Sequence, residues 1–530
     1  LLIFHINAIV TFIYHLVSTK GHYLSTKLKG GEKIRRQAII IIFTITFALF
    51  ICEAVSATSY TDIYVSPTGN DSYDGGSPLH PAQTIRHALE VTKDNGSTVH
   101  LANGVYSGIG NTRINLLKNM TIKGQSQTGT IINGTTNWIF YISEDANITI
   151  QNLTLTEGAS NAGGAIRNGG TLNVAAITFN GNTATMLGGA IYNTGTSTVT
   201  NCTFTSNNAP EGGAIYSQGT FTVIGSNFTG NTATNYGGAI YNANTLTVTG
   251  STFINNNATS NYPSKGGAIY NEKIMTVSGS RFTNNNADYG GAVYNHGGTS
   301  TTTVTISSSA FIGNAANHLG GAIYNTVGTV NVYFNRIVGN SASQGSGIYN
   351  DGGNADAPLN WWGNNNGPAG KIQGLTVIKW LVITINTVPI SVQTNKTSKI
   401  TADLRYDNSG TIHTEGHIPN GIAVKFTTTR GTIGSQSIIV NGIAQSTLKA
   451  GLTTGIASIS AKLDNQTIIK SVSIIDTIAP KVTSTYPKKN TEKVSRTKVI
   501  IIKFSEKIKK SSKWPKIYIK NRYGKVKITK

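Results

Sequence analysis

The chain is short of sulfur and short of charge. Its 530 residues hold two cysteines, and only 12% of them are Asp, Glu, Lys or Arg. Cys52 lies in an N-terminal stretch that reads as a removable leader, so the mature chain keeps the single thiol of Cys202 and no intrachain disulfide can form. Cys202 stands at a repeat position otherwise filled by Ser or Ile, which makes it core filler rather than a nucleophile. Acids are scarce too, 22 against 43 Lys and Arg. Those of the repeat region, Glu157, Glu211, Glu272, Asp288, Asp351 and Asp356, fall at different places in the repeat, as do His296 and His318. Polysaccharide cleavage needs convergent acids, or a metal with a base, on one face. The scatter therefore argues against an enzyme, and no metal or cofactor site is expected.

What the chain has in plenty is repetition. Gly-Gly-Ala-Ile-Tyr-Asn, or a close variant, starts at Gly163, Gly188, Gly212, Gly237, Gly266, Gly290, Gly320 and Gly345. Most starts lie 24 or 25 residues apart, and two intervals stretch to 29 and 30. A second motif, Phe-x-x-Asn, interleaves with it from Phe179, Phe204, Phe228, Phe253, Phe282 and Phe311, with Ile337 in the last copy. Two motifs locked in phase mean one structural unit repeated. The unit is too short for a helix pair, and the alternation along Leu246–Phe253 has the period of a strand. Each unit supplies two or three short strands and buries its apolar face by coiling onto the next. The expected fold is a parallel β-helix solenoid, right-handed as parallel crossovers are.

In such a solenoid each repeat position becomes a ladder, with rungs about 4.8 Å apart. The Phe positions form an internal aromatic stack. Asn182, Asn207, Asn231, Asn256, Asn285, Asn314 and Asn340 fall at a turn, where Asn tolerates left-handed angles and can bond the next coil. The double glycine fits a tight bend or a close coil-to-coil approach. The Tyr of the hexad starts from Arg167 and continues as Tyr192, Tyr216, Tyr241, Tyr270, Tyr294, Tyr324 and Tyr349. The Arg in first place predicts a solvent-facing row. An outer aromatic row staples neighbouring coils, or it serves as a ligand strip for sugar rings or a partner surface.

The first Met is Met120. Residues 1–57 are taken as leader, the first 30 or so as upstream translation: Lys33, Arg35 and Arg36 precede the apolar run 37–51, and Val55-Ser56-Ala57 suits cleavage. The rival reading is a retained membrane anchor, the only insertion into a membrane foreseen. Residues 58–110 form an N-terminal cap with a short helix over 83–92, and Asp71 and Asp74 are the weak Ca²⁺ candidates there. The β-helix occupies 111–370 and closes on Trp361 and Trp362, a plug or a sugar platform. Alternating strands then predict a β-sandwich over 371–476 and an incomplete one over 477–530. Almost all of the formal +21 follows residue 370. With no nucleic-acid module in sight, anionic wall polymers or lipid headgroups are the partners such a basic region suits. Eleven N-x-S/T sequons, Asn201 and Asn227 among them, are candidate glycan acceptors.

The Gly-Gly-Ala-Ile and Phe-x-x-Asn pair resembles the repeat of chlamydial polymorphic outer-membrane proteins. Asn360–Pro368 and the tail resemble adhesin-like surface proteins of methanogenic archaea. Pro419–Phe426 is similar to invasin and intimin Ig-like domains, and Ala479–Pro487 with Ile501–Glu506 to another bacterial Ig-like module. The resemblance implies an all-β, pectin-lyase-like β-helix followed by Ig-like sandwiches, at the cell surface. It implies an adhesin without catalysis, whose partners are cell-surface or glycan ligands. The alternatives are a structural envelope protein and, behind it, a polysaccharide lyase or hydrolase.

Overall fold

The computed structural model describes residues 62–92, 95–260, 262–297, 302–495 and 497–508, with backbone alone for 518–521 and 524–527. The expected leader and its cleavage site lie outside the described residues. Among the described residues no helix is long and apolar enough to cross a membrane.

Strands Asp62–Val65 (β1) and Ser97–Leu101 (β2) already pair in parallel, so the solenoid begins inside the expected cap. Between them lies the helix Ile85–Val91 (α1), capped by the Thr84 side chain, with Ile85 and Ala88 buried against the first coil. From there three parallel sheets run along one axis. One wide sheet of 20 strands carries the Phe ladder, an 11-stranded sheet carries the tyrosines, and a 7-stranded sheet completes the wall. This is the pectin-lyase-like arrangement expected. The tyrosine sheet ends with Ile372–Gln373, slightly beyond the boundary set at residue 370.

The Phe rings are fully buried and stacked face to face, 4.5 to 4.8 Å apart and within 4° of parallel from Phe179 to Phe311. The asparagines of Phe-x-x-Asn differ from expectation. They point inward and are buried, and the left-handed backbone belongs to the residue just before them: Gly181, Ser206, Gly230, Asn255, Asn284 and Gly313. Inside, each amide donates to the carboxamide oxygen of the next coil, as Asn231 Nδ2 does to Asn256 at 2.9 Å, and to a carbonyl of the coil before, Leu155 for Asn182 and a Phe for the others, as Phe204 for Asn231 at 2.9 Å. A buried polar group is tolerated only when satisfied in this way. The two glycines of the hexad have separate duties. Gly188 has φ +60°, and a Cβ there would strike the Ile191 carbonyl; a Cβ on Gly189 would strike the Gly213 carbonyl of the next coil. Cys202 is buried, as a core position requires, and burial pushes its thiol up to about 12. Asn201 and Asn227 are exposed.

Trp361 and Trp362 are buried, which corrects the sugar-platform alternative: Trp362 plugs the solenoid core and Trp361 packs into the module that follows. The following module is a sandwich of a 4-stranded and a 5-stranded sheet spanning Leu381–Ile475. Its core is continuous with the last coils. Phe334 and Trp361 pack in the same apolar cluster as Ile383, Ile400, Phe426 and Leu448. Asp464 of the sandwich accepts from Trp361 Nε1 at 2.7 Å and from Arg336 Nε at 3.0 Å, with a second bond from Arg336 Nη2. Beyond it, Val482–Tyr486 pairs antiparallel with Ile501–Phe504, and Tyr518–Asn521 with Gly524–Lys527.

Candidate functional site

The hexad tyrosines stand on the outer side of their sheet, because Ile191, Ile215 and their equivalents take the core side of the same three-residue strands. Register places Tyr192, Tyr216, Tyr241, Tyr270, Tyr294, Tyr324 and Tyr349 directly above one another. Their expected exposure is not found. Tyr216, Tyr241, Tyr270, Tyr294 and Tyr324 are only 4 to 7% exposed, and only Tyr192 and Tyr349, at the two ends, are half-buried. Ring centroids lie 4.5 to 5.8 Å apart, so neighbouring rings occupy each other's faces.

Two further columns cover the rings. Residues just before each Gly-Gly pair, Leu187, Glu211, Tyr236, Lys265, Tyr289 and Leu319, stack in register at the edge of the 7-stranded sheet. Residues two beyond each Tyr, among them Gln218, Glu272, His296 and Asp351, form the other side. The result is a tyrosine ladder covered by its flanking side chains, Leu187, Tyr236, Tyr289 and Leu319 among them. Tyr192, Tyr241 and Tyr324 donate their hydroxyls to Gln218 at 2.9 Å, Glu272 at 2.6 Å and Asp351 at 2.7 Å. Lys265 sits over the rings of Tyr236 and Tyr294, 5.5 and 5.2 Å from their centroids, and Arg167 lies over Tyr192 at 5.7 Å. Cations over tyrosine faces are attracted by the ring quadrupole.

The acids expected on separate faces are thus partly brought together. Glu211 and Glu272 flank the same stretch of the tyrosine ladder, and burial first, then the charge of Glu272, raises the Glu211 carboxyl. Burial pushes Tyr216 up to about 12, with the charge of Glu211 adding to it, and burial likewise raises Tyr241, Tyr270, Tyr294 and Tyr324. These phenols are protonated donors at neutral pH. Burial lowers Lys265. Asp288 faces away from this set and binds Ser264 and Asn317. The two covering columns escaped sequence reading because their residue types vary from coil to coil, and only their fixed offset from the hexad betrays them. Asp71, considered for Ca²⁺, accepts from Gln83 N, Thr84 N and Thr84 Oγ1, each at 2.8 Å, and so holds the cap loop.

Comparison with known proteins gives two family matches. The repeat of the Chlamydia polymorphic membrane protein matches residues 176–194, 201–218, 225–243 and 250–272, and a bacterial Ig-like domain matches 476–530. No curated protein sequence matches the chain. Among solved structures, the Yersinia pseudotuberculosis adhesin InvE is 24% identical over 19% of this chain and 29% of its own, with a TM-score of 0.15. The D00-D0 domain of intimin is 18% identical over 20% of this chain and 52% of its own, with a TM-score of 0.15. A rhamnogalacturonan lyase is 11% identical over 57% of this chain and 87% of its own, with a TM-score of 0.35. The chain thus spans well under two thirds of the first two. A β-helix of polymorphic-membrane-protein repeats followed by an Ig-like domain is an adhesin-like surface architecture, and it places the chain outside the cell, at the surface.

Proposed function

We propose that the chain is a non-catalytic adhesin whose solenoid serves as a stiff stalk and a binding face for cell-surface or glycan ligands. The observation that carries this reading is the shared core at Phe334, Trp361 and Asp464, which fuses the solenoid and the first Ig-like module into one rod. A rod of this kind holds a face at a fixed distance from its base. The exposed lysines of the last module, such as Lys481, Lys488, Lys503 and Lys507, suit anionic wall polymers, through attraction that added salt would screen. Nucleic acid is not the partner proposed.

The tyrosine column enters this reading chiefly as a covered staple between coils, with ligand contact falling to the flanking side chains Gln218, Glu272, His296 and Asp351. The test is binding of the purified chain to cells and to a glycan array, with polysaccharide turnover measured alongside. Saturable binding without turnover is expected. Product release from a polysaccharide would revive the lyase or hydrolase, and absence of all binding would favour a structural envelope protein. Replacing both Tyr241 and Tyr270 with Ser removes two buried, mutually stacked rings. Melting should fall clearly, while binding per folded molecule should change little; a large binding loss at unchanged melting would restore the tyrosines as the ligand strip.

A further inference from the structure

The outer face of the wide sheet changes character at its N-terminal end. One outward column reads Tyr64, His100, Lys123, Gln151, Ala175, Thr200 up the coils. Among these six positions only the first three carry aromatic or cationic groups, and there the cap loop lies beside the column to form a half-open cavity of about 530 Å³. Tyr64 and His100, stacked at 4.9 Å, line it together with Pro78 and Pro81; so do Ser66 and Thr68, whose hydroxyls share a bond at 3.0 Å, and Gln125, whose Oε1 accepts from Asn103 N at 2.9 Å. A cleft of this size, lined by aromatic and apolar groups with a few polar ones, is the usual shape of a small-ligand site.

The cleft is built into the fold. Tyr64 and Ala82 exchange bonds with the loop and strand (Tyr64 N to Gly75 O at 2.7 Å, Ala82 N to Tyr64 O at 2.9 Å), while Ser66 N reaches Ala82 O and Asn70 N reaches Pro81 O. The Asp71 carboxylate fastens the far side of the loop through its three bonds to Gln83 and Thr84. A wall held this way is ordered before any ligand arrives, which lowers the cost of binding. Charge inside the cavity is one-sided. His100 is engaged by Asp62 at 2.8 Å, whereas Lys123, exposed at the mouth, has no carboxylate partner among the described residues.

We propose that this cavity binds a carboxylated sugar residue, its carboxylate on Lys123, its ring against the Tyr64–His100 wall and its hydroxyls on Ser66, Thr68 and Gln125. The cavity lies at the end of the solenoid opposite the Ig-like modules, the end a rod based on those modules presents to a partner. The inference goes beyond the adhesin reading by adding a separate site with its own ligand class, and its test separates the two.

Titration of the whole chain with sialyllactose and with a glucuronic-acid disaccharide, against lactose and cellobiose, should show binding of the acidic member of each pair only. Lys123→Ala should weaken it at least tenfold, and Thr68→Trp, which fills the mouth from an exposed position, should abolish it. Lys118→Ala, an equal charge loss outside the cavity, should leave it unchanged, and melting curves confirm that each variant is folded. Equal binding of acidic and neutral sugars, or full binding by Thr68→Trp, overturns the proposal. Adherence to cells without any acidic-sugar binding would remove this site and leave the adhesin reading standing. Sugar binding without adherence would do the reverse.

Discussion

At the scale of single residues the solenoid is held by ladders, and their irregularities show what each rung is worth. Phe253 lies between Phe228 and Phe282, 4.7 Å from each, with no exposed surface. Phe253→Ala should cost about 3–5 kcal/mol, read as a loss in thermal unfolding with protease cuts confined to neighbouring coils. A second Asn ladder, from Asn168 and Asn193 to Asn242, Asn271, Asn295, Asn325 and Asn350, is broken once, at Ser217. Four residues on stands Phe221, the largest side chain of its inward column, where the coil before has Ser197 in contact with Asn193 at 2.7 Å. Phe221 takes the volume that an Asn at 217 would need. Ser217→Asn alone should therefore destabilise by about 1–3 kcal/mol through overpacking, and adding Phe221→Leu should recover most of it, as a double-mutant cycle would measure. The same ladder explains the unpartnered Asn168 Oδ1: the preceding coil offers Ile142, which has no donor.

At the scale of elements, the strand positions and inward faces were legible in the sequence because the repeats supply many readings of the same position. The Phe stack and the two glycine duties follow from that redundancy. What did not show was anything set by the relation between two sheets. The Tyr position does face outward, as Arg167 implied, but the sharp bend at Gly-Gly folds the neighbouring sheet edge over the rings. A one-dimensional pattern carries no mark of that bend angle. The inward Asn was misread for a related reason: Asn suits both a left-handed turn and a buried ladder, and the choice depends on which neighbour takes the positive φ. The Ig-like module holds a third polar element. Asp407, fully buried, accepts from Ser409, Thr411, His413 and Lys379. Burial works to raise its pKa, and these bonds outweigh burial and hold it well below the carboxylate range. A depressed carboxylate stabilises fully above its unfolded pKa, and that stability is lost as pH falls from about 4 toward the folded value. Stability of the module should thus fall steadily below about pH 4. Asp407→Asn should be less stable at pH 7 and show a flatter acid limb in denaturant titrations taken at successive pH values.

At the scale of the whole molecule, the junction decides whether the solenoid and the first Ig-like module behave as one body. Repeat solenoids unfold by neighbour terms, so their ends fray first. Here the last coil has no free end, since Trp361 and Arg336 are tied to Asp464, and Asn365 exchanges bonds with Ile383 at 2.8 and 3.0 Å. Calorimetry should show the module melting together with the coils beside it. Asp464→Ala leaves Arg336 and the Trp361 N–H buried without a partner, a loss of about 3–5 kcal/mol, and should split the trace into two transitions; a single unchanged peak would show that the link is dispensable. Between cap and junction, the coils are nearly interchangeable, because the Phe and tyrosine ladders pair each one with the next in register. Copying errors that duplicate or delete one 24- or 25-residue unit between two similar hexads would therefore yield folded descendants. Each event would move the far end by about 4.8 Å and leave both ends intact. Reach thus becomes a trait that lineages can vary in whole steps, separately from what either end recognises.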